Sequence, residues 1–387
     1  MYKILTLNNI SVAGIERLPR ESYEVASEIT HPDAIILRSF KMHDMDIPKS
    51  LLAVARAGAG VNNIPVEQMS SKGIPVFNAP GANANAVKEL VVAGMLLACR
   101  NICQAWDYTT NLEGDDATVF KSVEAGKKQY GGFELPGKTL GIVGLGAIGR
   151  SVADIAIQLG MKVIGYDPAI TVDGAWQLSS KVEKADNVDA LLAKADFVTF
   201  HVPLIEATKN MINKERLAIM KQGVVILNFA RAGIIDDTAV LEAIKSNKIY
   251  CYVCDFPTNE LKGQDRVITL PHLGASTVEA EDNCAIMVAE QVKDYIENGN
   301  VYNSVNFPNV EMPRTNGYRV TIVNNNVPNM LGQISTATAD AGLNIIDMLN
   351  KSKDNIAYTV LDVDQAVEDS LIKTLSEIEG VLTVRAL

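Results

Sequence analysis

The sequence predicts an α/β protein of several domains: a doubly wound parallel sheet at the centre, a looser α/β unit around it, and a ferredoxin-like unit at the end. Three observations predict this. Six short runs rich in Val and Ile recur between residues 139 and 270, with helical patterns between several of them. The first 97 residues alternate in a similar way. The last 70 residues read strand, helix, strand, strand, helix, strand, the ferredoxin-like order. At 387 residues the chain exceeds what one ordinary core serves.

The central strands are expected at Thr139–Leu145, Lys162–Asp167, Asp196–Val202, Gly223–Ala230, Ile249–Phe256 and Arg266–Leu270. Near-continuous apolar runs mark strands buried on both faces. Helices are expected at Ile148–Leu159, Val188–Lys194, Lys214–Met220 and Thr238–Ser246, which completes a βαβ rhythm. In the first unit, strands are expected at Lys3–Leu7, Ala34–Leu37, Ala53–Arg56 and Val76–Asn78. One long apolar helix, Glu89–Thr110, would join the two units. Another, Thr277–Ile296, carries Ile286, Ala289, Val292 and Ile296 on one face and would return the chain to the first unit. The expected domains are therefore 1–97 with 277–308, the inserted 98–276, a linker at 309–317 rich in Asn, Pro, Arg and Thr, and 318–387.

Composition narrows the function classes. Net charge is −11 with no long basic run, which disfavours nucleic acid and anionic membranes as partners. No apolar run approaches the roughly 18 residues of a membrane span, and Met1–Leu7 reads as a strand rather than a leader. The five cysteines are an odd number, consistent with reduced thiols and a cytoplasmic location. Cys251 and Cys254 have the spacing of a redox or metal pair, but they lie inside an apolar strand with no second ligand pair, so buried cysteine is the expected reading and no metal is expected.

The strongest motif is Gly144-Leu-Gly146-Ala147-Ile148-Gly149. It follows a strand, opens a helix, and is followed 18 residues past its third glycine by Asp167. In such a turn the first glycine makes the tight bend, the second lets the backbone approach a pyrophosphate, and the third packs helix on strand. The helix N-terminus then faces the phosphates. A carboxylate at Asp167 can accept from ribose hydroxyls and would repel a 2′-phosphate, which favours NAD over NADP. The ends of two further strands, His201-Val202-Pro203-Leu204 and Asn228-Phe229-Ala230-Arg231, are expected to line the same crevice.

A dinucleotide cofactor implies hydride transfer, and a hydroxyl that loses hydride also needs a base for its proton. Among four histidines, His272 stands at a strand end before a Gly-Ala-Ser-Thr helix start, and histidine titrates in the range such a base requires. Glu260 would orient that ring and favour its charged form. Arg231 offers a planar fork of donors to a carboxylate.

At this point the sequence resembles the D-isomer-specific 2-hydroxy acid dehydrogenases. The resemblance rests on Gly144–Gly149, Asn228-Phe-Ala-Arg231-Ala-Gly233-Ile-Ile-Asp236, Asp255 to Glu260, and Pro271-His272-Leu-Gly274-Ala-Ser-Thr277. Arg38-Ser39, Arg56-Ala-Gly58-Ala-Gly60-Val61 and Asn78-Ala-Pro80 extend it to the N-terminal unit. It implies a Rossmann-type NAD domain inserted in a flavodoxin-like substrate domain, followed by an ACT-like regulatory domain. Arg231, Glu260 and His272 would be catalytic. The cofactor would be lined by Gly144, Gly146, Ala147, Ile148, Gly149, Asp167, His201, Val202, Pro203, Phe229, Ala230, Arg231, Asp255, His272, Gly274 and Ala275. The substrate, a phosphorylated acid such as 3-phosphoglycerate, would meet Arg38, Ser39, Arg56, Gly58, Asn83 and Lys88. Lys88 stands where the family more often has a small residue, and reads equally as a phosphate contact or a solvated helix charge. In the last domain, Asn324, Asn326 and Asn344 would hold an amino-acid effector, serine, between two such domains of a homodimer or homotetramer. A reductase of hydroxypyruvate or glyoxylate shares the catalytic residues, and an NAD-sensing corepressor is the non-enzyme alternative.

Overall fold

The computed structural model describes residues 1–387, which divide into two compact units, 1–82 with 281–387 and 83–280. Unit one opens with β1 (Tyr2–Leu7), α1 (Val12–Ile15), β2 (Tyr23–Ala26), β3 (Ala34–Leu37), β4 (Ala53–Arg56), α2 (Val66–Ser71) and β5 (Val76–Phe77). Unit two runs through α3 (Ala84–Cys99), α4 (Ile102–Thr110), α5 (Asp116–Gly126), β6 (Thr139–Val143), α6 (Ala147–Gln158), β7 (Lys162–Tyr166), α7 (Val172–Trp176) and β8 (Val182–Lys184). It continues with α8 (Val188–Lys194), β9 (Phe197–Phe200), α9 (Lys214–Ile219), β10 (Val224–Asn228), α10 (Asp237–Lys245), β11 (Ile249–Cys254) and β12 (Val267–Thr269). Helix α11 (Val278–Asn298) starts at the end of unit two and continues into unit one. Then come β13 (Tyr318–Asn325), α12 (Met330–Asp340), β14 (Ile345–Lys353), β15 (Ile356–Val363), α13 (Asp369–Ser376) and β16 (Val381–Ala386).

Unit two holds a seven-stranded sheet in the order β12-β11-β10-β9-β6-β7-β8, parallel throughout. The order reverses between β6 and β9, and ligands of such sheets bind beyond the carboxyl ends of the strands at that reversal. Alternation along the strands feeds two cores. Val198, Phe200, Ile226 and Cys254 face one side; Phe197, Val225, Leu227 and Cys251 face the other. Cys251 and Cys254 thus lie on opposite faces as free, buried thiols, and burial pushes the Cys251 thiol up to about 12.

The first five strands of unit one form a parallel sheet in the order β2-β1-β3-β4-β5, the flavodoxin-like arrangement. One face (Leu5, Ile35, Leu37, Val54, Val76) packs on Met42, Leu51, Ile64 and Met69. The other (Ile4, Ala34, Ile36, Ala53, Ala55, Phe77) packs on Val288, Ala289, Val292, Tyr295 and Ile296 of α11. Val323, Ile356, Tyr358 and Val360 of the last, antiparallel sheet (β14-β15-β13-β16) join that same core.

One expectation changes. The single helix expected over Glu89–Thr110 is two helices, because Asn101 adopts a left-handed backbone (φ 52°) that ends α3 and starts α4. Within 309–317, the expected linker, two side chains are anchored. Val310 pairs with Val301 in an antiparallel bridge, and Val310 and Met312 are buried. Arg319, fully buried, binds Asp362 through Nε (2.6 Å) and Nη2 (2.9 Å) and also donates to the carbonyls of Met312 and Pro313.

Candidate functional site

The glycine turn stands where the order of the seven-stranded sheet reverses. Gly144 (φ 94°) leaves β6, and its amide donates to the Tyr166 carbonyl (2.8 Å). A Cβ there would lie 2.4 Å from the His201 carbonyl oxygen at the end of β9, so only glycine fits. A Cβ on Gly149 would come 2.0 Å from the Gly144 oxygen, which is the close helix–strand approach. A Cβ on Gly146 would meet nothing within 4 Å. The turn is therefore tight where it folds and open where α6 begins, as an anion held by a helix N-terminus requires. Asp167 after β7 accepts from the amides of Leu145 (2.8 Å) and Ala169 (2.9 Å), which fixes its carboxylate beside the turn. Burial pushes the His201 ring down to about 3, so it is neutral, with Nε2 3.2 Å from the Thr199 hydroxyl.

The next strand ends carry the other candidates. The Asn228 side chain spans its own turn, with Nδ2 donating to the Arg231 carbonyl (2.9 Å) and Oδ1 accepting from the Ala230 amide (3.2 Å). That bend leaves Arg231 exposed, with Nη1 on the Ala230 carbonyl (2.7 Å). Asp255, fully buried after β11, accepts from the Gly274 amide through Oδ2 (3.2 Å), while its Oδ1 has no partner. Burial raises its carboxyl, with the nearby His272 pulling the other way. An unpaired buried acceptor is costly, and a carboxamide N–H from a nicotinamide would satisfy it. The donor set, the open turn and this unpaired oxygen all fit NAD.

His272 and Glu260 do not touch. The His272 ring packs on Phe256 at 4.9 Å between centroids. Glu260 Oε2 accepts from the Thr238 hydroxyl (3.4 Å) at the first turn of α10. Buried Leu261 anchors the Glu260 loop, and the Thr258 hydroxyl ties it to Asp237 (3.4 Å). The expected pair is thus not joined in this arrangement, and the Glu260 carboxylate instead meets the first turn of α10.

In unit one, Arg38 and Arg56 are brought together at the ends of β3 and β4. Arg56 Nε donates to the Arg38 carbonyl (3.0 Å), and the guanidinium lies over Gly58. Arg38 Nη1 meets Glu281 Oε1 of α11 at 2.6 Å. Two asparagines that sequence reasoning missed shape this loop. Asn8 (φ 75°) accepts from the amides of Ser39 (2.9 Å) and Phe40 (2.6 Å). Asn63 donates to the carbonyls of Arg38 (3.1 Å) and Phe40 (2.7 Å). Asn8, directly after a strand, was the available signal. Nothing local marks Asn63 or Glu281. In unit two, Asn83 immediately precedes α3 without capping it, and its buried Oδ1 has no partner. The Lys88 ammonium binds Asn85 on its own helix, and Asn85 binds Glu89 (2.8 Å).

In the last domain, β13 and β14 both run antiparallel to β15 and so are parallel to each other. Asn326 follows the end of β13 and Asn344 precedes the start of β14, so one copy does not bring them together. Asn326 Nδ2 donates to the Asp354 carbonyl (3.2 Å). Asn324 is buried with an unpaired Oδ1.

A doubly wound parallel sheet with this turn and an acidic residue after the second strand defines a dinucleotide-dependent oxidoreductase. The chain belongs to the D-isomer specific 2-hydroxyacid dehydrogenase family, whose NAD binding domain matches residues 92–274. It is 35% identical over 349 residues to D-3-phosphoglycerate dehydrogenase of Haemophilus influenzae, covering 87% of this chain and 81% of that one. The enzyme of that name from Methanocaldococcus jannaschii is 37% identical over 84% of this chain, but the match spans only 61% of its length. Hydroxypyruvate reductase of Thermotoga maritima is 39% identical over 70% of this chain and 87% of its own. Among solved structures, NAD+-bound 3-phosphoglycerate dehydrogenase of Entamoeba histolytica aligns with a TM-score of 0.61 at 27% identity, over 79% of this chain and 98% of that one. No helix is long and apolar enough to cross a membrane.

Proposed function

We propose that this protein oxidises 3-phospho-D-glycerate to 3-phosphohydroxypyruvate with NAD, the entry step of serine biosynthesis. The observation that carries the substrate is the pairing of Arg38 with Arg56 at neighbouring strand ends in a chain of net charge −11. Two arginines standing at neighbouring strand ends suit a substrate that bears both a carboxylate and a phosphate. Bound NAD supplies the acceptor for the hydrogen that leaves C2 with its electron pair. A ring nitrogen of His272 takes the C2 hydroxyl proton. Arg231 holds the carboxylate and the C2 oxygen, which lowers the cost of charge developing there. Glu260 turns from Thr238 to His272 in the reactive arrangement and stabilises the imidazolium. Arg38, Ser39, Arg56, Gly58 and Asn83 bind the anionic ends of the substrate.

In this reading 1–97 with 277–308 form the substrate domain, 98–276 the NAD domain and 318–387 an ACT-like domain. Serine binds across two copies of that last domain, which is why Asn326 and Asn344 stand at opposite ends of one copy. A homodimer forms through α4 and α5, where Ile102, Trp106 and Phe120 are 44%, 67% and 69% exposed and offer apolar surface to a second copy.

The deciding assay follows NADH formation with 3-phosphoglycerate, and NADH consumption with hydroxypyruvate and glyoxylate. Turnover confined to the unphosphorylated acids would install the reductase reading, which the Thermotoga relative supports. Serine at millimolar concentration should inhibit. Unchanged rates would reduce the last domain to an assembly element.

A further inference from the structure

The last carbonyls of α11 are dressed by later segments of the chain. A helix leaves its last carbonyls without partners and places partial negative charge there. α11 carries no basic residue in its own last turn. Its end closes on Gly299 in the left-handed region (φ 72°). Arg385 Nη2 donates to the carbonyls of Tyr295 (2.9 Å) and Ile296 (3.4 Å), and Arg314 Nη2 to Glu297 (3.5 Å). Arg319 Nη1 donates to Asn298 (2.8 Å), and the Tyr358 hydroxyl to Gly299 (2.6 Å).

Arg385 stands apart within this group. Arg319 is neutralised by Asp362, whereas no carboxylate pairs with Arg385, and its Nε and Nη1 are buried without partners. Its charge is balanced by the helix end and by the Tyr295 ring, 4.5 Å away. At the other end of the helix, Glu281 holds Arg38 and Asp282 accepts from the Ser11 hydroxyl. Between the ends, α11 rests on the sheet through apolar contacts at Val288, Ala289 and Val292. Such contacts are non-directional. Glu290 meets Arg17 only at an exposed 3.7 Å, so the bonds at the two ends, with the Tyr23 hydroxyl on Glu297 (2.8 Å), bias where the helix sits along its axis.

We propose that Arg385 is a positioning residue for the substrate site: by capping α11 it fixes where that helix presents Glu281 to Arg38. The distance spanned, from residue 298 to residue 281, is about 26 Å at the usual helical rise. The inference rests on the reading that Arg38 binds the substrate.

The test uses the full chain with Arg385→Met, Arg385→Lys, Tyr358→Phe and Glu281→Gln. Arg385→Met should raise KM for 3-phosphoglycerate about three- to tenfold with kcat little changed. Arg385→Lys, which keeps charge and donors, should restore it. Combined with Glu281→Gln, Arg385→Met should add nothing further, because both act on the same pair. A lower Tm with unchanged KM would overturn the proposal and leave Arg385 a stability element. If Arg385→Met does not fold, Tyr358→Phe carries the test: a smaller rise in KM supports the proposal and an unchanged KM overturns it. Amide exchange of residues 281–285 separates the two readings. If the wild type fails to turn over 3-phosphoglycerate, the function fails. Faster exchange there in Arg385→Met still supports the positioning role, and unchanged exchange overturns it.

Discussion

The glycine turn makes opposite predictions for two substitutions that look alike on paper. At Gly149 a methyl group would sit 2.0 Å from the Gly144 oxygen, roughly 1.5 Å short of van der Waals contact. Neither partner can yield, since one atom is main chain of the turn and the other belongs to a buried face of α6. Overpacking of this kind costs about 1–3 kcal/mol or more. That lowers Tm by about 2–12 °C in a unit of this size. At Gly146 (φ −64°, ψ −168°) the backbone suits alanine, and a methyl meets nothing within 4 Å. Gly146→Ala should therefore keep or slightly raise Tm, through about 0.4–1 kcal/mol of reduced unfolded-state entropy. Its methyl would occupy the opening where a pyrophosphate must approach, so NAD affinity should fall about tenfold or more, the loss of a charge-assisted hydrogen bond. Thermal melts paired with calorimetric NAD titration read both effects. Wild-type NAD affinity in Gly146→Ala, or a wild-type Tm in Gly149→Ala, would refute the reasoning.

Asp255→Asn should raise Tm at pH 8 while weakening NAD binding. Burial raises the Asp255 carboxyl, so folding is penalised as pH rises through that raised value and is free of the penalty below the ordinary carboxylate range. The gain should accordingly shrink as melts are repeated toward pH 4. Thr238→Val should release Glu260 and raise kcat/KM about two- to threefold, the worth of one weak hydrogen bond. A fall in kcat/KM would mean that Thr238 holds Glu260 in its working place. Arg38→Ala should raise KM for 3-phosphoglycerate far more than Lys88→Ala, because the Lys88 ammonium is held by Asn85 on its own helix. Equal effects would return Lys88 to the phosphate site.

Much of the central sheet was readable because strands buried on both faces are continuous apolar runs. β10 and β11 lie wholly inside the runs that predicted them. β2 escaped notice as a four-residue edge strand with exposed Glu24 at its centre. Helix α5 escaped because none of its residues is buried in this chain, so it shows no apolar stripe. The break at Asn101 hid inside an apolar stretch, since one left-handed residue leaves the composition unchanged. In the site, the glycines and strand-end residues were legible because backbone geometry dictates them. Which rotamer Glu260 adopts depends on Thr238, 22 residues earlier. The bond between Arg319 and Asp362 joins residues 43 apart. Neither competition leaves a local pattern.

The discontinuity of unit one has a consequence for biosynthesis. The five strands of its parallel sheet all lie in the first 82 residues, yet α11, which covers one face of that sheet, begins only at residue 278. At ribosomal speeds of about 5–20 residues per second, the intervening stretch takes roughly 10–40 s to emerge. During that interval Ile4, Ile36, Ala55 and Phe77 lack the helix that buries them, while unit two, contiguous in sequence, can finish first. Nascent chains should therefore engage chaperones through the N-terminal strands, and should let go when α11 leaves the exit tunnel.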